Sequence, residues 1–118
     1  VIDLANACSC EFAIPLGALT TAAMTGTVLV EDGNTGTPGT TTLTDAVAVA
    51  DEFLTGTEAG ASFVGTNDNQ VAKIGYIGPK RYVRLTVTTA AAAGAAYFFG
   101  AVAAVGHIRK TPKTAQIV

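Results

Sequence analysis

The stretch "IGYIGPKRYVRLTVTT", residues 74–89, decides the reading of the fold. From Lys80 onward the alternation is strict. Arg81, Val83, Leu85 and Val87 fall on one side of an extended chain, and Lys80, Tyr82, Arg84, Thr86 and Thr88 on the other. Period two with β-branched and aromatic residues predicts a strand whose first row enters a core and whose second row faces solvent or a partner. Three of the protein's seven basic side chains, Lys80, Arg81 and Arg84, lie in this strand, although the whole chain carries a net charge of −2.

The same period recurs elsewhere, and the helical period hardly at all. "EFAIPLG" places Phe12, Ile14 and Leu16 on one face, with Pro15 suggesting an edge strand or a bulge. "TGTVLVEDG" predicts a short strand through Val28, Leu29 and Val30 that stops at Asp32 and Gly33. "GNTGTPGTTT" is a loop by composition, and residues 31–42 are expected to be flexible. "LTDAVAVADEFLTG" can be a short strand turning at Gly56 or can close a helical turn, and the strand is preferred. "FVGTNDNQ" is a turn cluster.

Residues 90–106 include a long uncharged run, but it is mostly Ala and Gly and at the lower limit for a membrane span. It reads better as a turn around Ala92 to Gly94 and a strand buried on both faces, bulked by Tyr97, Phe98 and Phe99. Segments 81–88 and 97–107 would then form a central antiparallel hairpin. Residues 109–118, with Pro112 and little periodicity, are expected to lie over the surface or reach a neighbour. The whole, residues 1–118, reads as one all-β domain, a single antiparallel β-sandwich or jelly-roll-like body. Its core is rich in Ala and Val and lacks Trp, so each buried position removes little area from water and self-association would add stability.

Charge is ordered along the chain. All nine acids, Asp3 to Asp68, precede all seven bases, Lys73 to Lys113, an arrangement expected by shuffling on the order of once in ten thousand. One explanation is that strands from the two halves pair their charges across a sheet. The other is a two-signed surface suited to packing between copies or on an acidic protein lattice. Nucleic acid is disfavoured, since no basic, aromatic-interleaved stripe exists.

Catalytic chemistry has little to stand on. His107 is the only histidine, and neither Ser9 nor Ser62 sits in a nucleophile-elbow context. "GNTGTPG" lacks the Lys of a phosphate-binding loop, and "EDGN" lacks the spaced ligands of a calcium loop. Cys8 and Cys10 are expected as reduced thiols, and a metal site would need two further ligands. No enzyme, cofactor or metal is therefore expected. The chain shows no secretory signal, which points to synthesis in a cytosol.

"KIGYIGPKRYVRLTVT", an Ala/Gly-rich turn and a hydrophobic strand closing on "AVGHIRK", with the upstream "VEDGNTGT" and "ADEFLTGTE", make residues 28–110 similar to small virion structural proteins of tailed bacteriophages. Pro79 and the long "GNTGTPGTTT" loop have no counterpart in that pattern. The resemblance implies a decoration or cement protein on the capsid exterior, assembled in the host bacterial cytoplasm, with the major capsid protein and itself, as a homotrimer, for partners and no membrane. Lys80, Tyr82, Arg84, Arg109 and Lys110 would be its interface. A head-to-tail connector or tail-tube protein, and a stand-alone ligand-binding sandwich, are the alternatives.

Overall fold

A computed structural model describes residues 1–90 and 96–106. Along them run β1 (Ile2–Asp3), β2 (Ser9–Leu19), β3 (Thr25–Gly33), β4 (Val47–Ala48), β5 (Leu54–Thr55), the short helix α1 (Glu58–Ala61), β6 (Phe63–Val64), β7 (Val71–Tyr76), β8 (Tyr82–Ala90), β9 (Tyr97–Phe99) and β10 (Val102–Gly106). They form two antiparallel sheets packed together, an all-β sandwich. The first has the order β1-β8-β3-β4 with β6 also on β3; the second has β10-β2-β7-β5 with β9 also on β2.

Alternation builds the core between them. Cys10, Phe12, Ile14 and Leu16 of β2 and Ile74 and Tyr76 of β7 meet Val28 and Val30 of β3 and Val83 of β8, with Leu85 and Val87 packed at the margin. Each large aliphatic side chain so buried is worth about 1.5–3 kcal/mol. One polar contact crosses the core: the Tyr76 hydroxyl donates to Asp32 Oδ2 at 2.8 Å and accepts from the Lys80 amide at 3.1 Å. Burial, then the bond to Asp32, pushes the Tyr76 phenol above its ordinary pKa.

β2 is an interior strand of its sheet, not an edge, because β7 flanks it on one side and β10 and β9 in turn on the other. Pro15 is tolerated there because its missing N–H falls at the break between β9 and β10, where its carbonyl accepts from Gly100 N at 3.2 Å and the register shifts between Leu16 and Leu19.

The pairing of segments 81–88 and 97–107 is corrected. β8 is laddered to β3 along its whole length, whereas β9 and β10 join β2 in the other sheet. Period two identifies strands but carries no information on their neighbours. Tyr97, Phe98 and Phe99 are also not buried on both faces. Tyr97 and Phe99 close one end of the sandwich, Phe99 against Phe63 at 5.8 Å between ring centroids, and all three are exposed in part. The Ala92–Gly94 turn and the tail at 109–118 lie outside the described residues.

One segment expected as loop and one left ambiguous are both organised. Residues 31–33 belong to β3, and the turn that follows is tied back by Asp45, whose carboxylate accepts from Asn34 N at 2.8 Å and Thr35 N at 2.9 Å. Those amides hold the Asp45 carboxyl below its usual pKa. The ambiguous segment 43–56 contains both readings: β4, then one 3-10 turn at Asp51–Phe53, then β5, followed by Gly56 with φ 97°. Helix α1, capped by Thr57 Oγ1 accepting from Gly60 N, covers the stretch of β3 between β6 and β4. Its Glu58 Oε1 accepts from Val30 N at 2.6 Å and the following Ser62 Oγ from Val28 N at 3.0 Å, so side chains complete a ladder that has no strand there.

Candidate interaction surface

The polar row of β8 is largely consumed inside the protein. Tyr82 is only 8% exposed, beneath the 34–45 turn, where a Cβ on Gly36 would lie 3.2 Å from its ring. The expectation that it faces outward is corrected: its row does point away from the core, but a folded loop covers that end of the sheet. Arg84 is directly opposite Glu31 in register and places Nε and Nη2 on Glu31 Oε2 at 2.9 and 2.7 Å, with Nη1 on the Thr41 carbonyl at 2.8 Å. Arg81, expected on the core side, is instead exposed just before β8 begins, with Nε and Nη2 forked onto Asp3 at 3.0 and 2.9 Å and its guanidinium 4.9 Å from the centre of the Tyr82 ring. That pairing, foremost the Arg81 hydrogen bond, draws the Asp3 carboxyl below its usual pKa.

Both ion pairs join an acid of the first half to a base of the second, which is cross-sheet pairing of the separated charges. Of the expected interface residues, Lys80 is exposed at the β7–β8 turn, and Arg109 and Lys110 lie outside the described residues. The basic strand therefore balances charge within its own sheet.

The outer faces of the two sheets differ. On the first, Thr25, Thr27, Leu29 and Glu31 of β3 stand beside Ala90, Thr88, Thr86 and Arg84 of β8, a hydroxyl-rich surface closed by the Arg84–Glu31 pair. On the second, register aligns Val102 with Ala13 and Lys73, Ala104 with Glu11 and Gly75, and Pro15 with Val71. Phe98, 70% exposed, lies over Gly17, where a Cβ would come 3.2 Å from the Phe98 carbonyl oxygen. Val71 and Val102 are also well exposed. Small residues thus make a low, mostly apolar floor, Phe98 and the two valines rise from it, and Glu11 and Lys73 are its only charges among the described residues. Neither makes a hydrogen bond or ion pair with a described residue. Sequence reading passed over this face because its residues are the alternate positions of strands scored for their core side. The signal was present in Ala13, Pro15 and Gly17, which are unusually small and apolar for a solvated row.

Reactive chemistry does not gather on this surface. A trough of about 410 Å³ at its edge is lined by Ser9, Cys10, Glu11, Thr55, Gly75 and Ala104 among others. Burial pushes the Cys10 thiol up to about 11, so no thiolate forms near neutrality. No disulfide joins Cys8 to Cys10. Among the described residues, no three His, Cys, Asp or Glu side chains cluster as metal ligands, and no helix is long and apolar enough to cross a membrane. In comparison with known proteins, the chain matches no family model, no curated protein and no solved structure.

Proposed function

We propose that the protein is a non-enzymatic virion structural protein that decorates and reinforces a phage capsid shell, with the major capsid protein and copies of itself as partners. One observation carries the protein-binding part of this reading: a sandwich that pairs Arg81 and Arg84 with its own acids leaves Phe98, Val102 and Val71 exposed together on one sheet face. Apolar surface grouped in this way marks a protein contact more often than a solvated wall. The capsid part rests on the likeness of residues 28–110 to phage virion proteins. A small body with modest contacts suits this role, because many copies bridging adjacent capsomers add up through multivalency. Lys80, with Arg109 and Lys110, would orient docking on the lattice, whereas Tyr82 and Arg84 leave the interface expected from the sequence.

Immunogold electron microscopy of virions with an antibody to this protein tests the reading. Label spread over the shell is the expected result. Label confined to the neck or tail would instead indicate a connector or tail-tube protein, and unlabelled virions would refute a virion role.

A further inference from the structure

We infer that the outer face of the β10-β2-β7-β5 sheet pairs with the same face of a second copy about a two-fold axis, with Glu11 of each copy set against Lys73 of the other. The inference rests on reading this face as protein-binding, and it names the partner.

The geometry is self-complementary. Glu11 on β2 is paired with Gly75, and Lys73 on β7 with Ala13, so the two charges are diagonal neighbours on adjacent strands. A two-fold axis lying between two facing sheets and midway between Glu11 and Lys73 carries each onto the position opposite the other. Both salt bridges then form at once, as an isologous interface requires. The axis falls between β2 and β7, the two central strands, so the sheets overlap broadly instead of meeting at a rim. Ala13, Gly75 and Ala104 let them approach to the roughly 10 Å of packed sheets. Phe98, Val71 and Val102 supply apolar area. An unrelated protein could supply apolar contact as well, but a patch carrying an acid and a base side by side, neither paired with a described residue, is complemented by its own rotated copy. A trimer has the opposite requirement, two different patches meeting head to tail.

The test uses charge reversal and mixing, read by sedimentation velocity across protein concentrations. The parent is expected to be a dimer. Glu11→Lys and Lys73→Glu each place like charges opposite one another twice and should weaken the dimer by about tenfold or more. Mixed together, the two variants should form a heterodimer, since every contact again joins opposite charges, and the doubly reversed Glu11→Lys/Lys73→Glu protein should dimerise alone. Recovery on mixing also shows that both variants are folded. Parent protein that is monomeric or trimeric, single variants that dimerise like the parent, or a mixture that does not recover would each overturn the inference. Those results leave the virion reading intact, because labelling of virions is independent of them; unlabelled virions with a recovered heterodimer would remove the capsid role and keep the pairing.

Discussion

Replacing Arg84 by Ala should destabilise the protein far more than replacing Arg81. The two arginines lie three residues apart and each grips one acid, but their surroundings differ. The Arg81 and Asp3 side chains are 52% and 27% exposed, those of Arg84 and Glu31 only 24% and 16%. An exposed pair contributes about 0–1 kcal/mol. Removing Arg84 strands the Glu31 carboxylate in a largely dry site without its two guanidinium donors and also frees the Thr41 carbonyl. Hydrogen bonds to charged groups are worth roughly 1.5–3 kcal/mol, and breaking a fully buried pair costs about 3–5, so about 2 kcal/mol is expected for this partly buried site. For a chain of this length that corresponds to a fall in Tm of roughly 6–12 °C, against at most about 5 °C for Arg81→Ala. Thermal melts and urea titrations by circular dichroism, compared under conditions that hold the oligomeric state constant, measure both. A melt of Arg84→Ala within about 1 °C of the parent, or equal losses from the two variants, would show that the pair's burial does not set its strength.

Two further outcomes follow from the same accounting of polar groups. Glu58→Ala removes the acceptor of Val30 N and should cost about 1–2 kcal/mol while speeding hydrogen exchange at the Val30 amide; unchanged protection at Val30 would mean that α1 does not seal the β3 edge. Cys10, whose thiol is raised to about 11 in the folded protein, ionises sooner when unfolded, so its contribution is complete below about pH 9 and is lost as pH rises toward 11. In a Cys8→Ser background, iodoacetamide at pH 8 should spare native Cys10 and modify it only after denaturation, and rapid native labelling would contradict the burial.

Alternation along the chain was sufficient to find β2, β3 and β8 and to assign part of the core, because a strand buried on one face must repeat every second residue whatever lies across from it. Phe12, Ile14, Leu16, Val28, Val30 and Val83 were legible on that ground, and so was the all-β class. The separation of acids from bases likewise pointed to cross-sheet pairing as one of its two explanations. Three things were decided only in three dimensions. Which strand neighbours which depends on the path between sheets, so β9 and β10 went to β2 and not to β8. What lies over an outward row depends on loops distant in sequence, so Tyr82 is buried under the 34–45 turn and Arg84 is held by Glu31, 53 residues away. And an apolar outer face exists only when several strands contribute to it: Ala13, Val71, Val102 and Phe98 are unremarkable singly, and the surface they form comes from the register that sets them side by side.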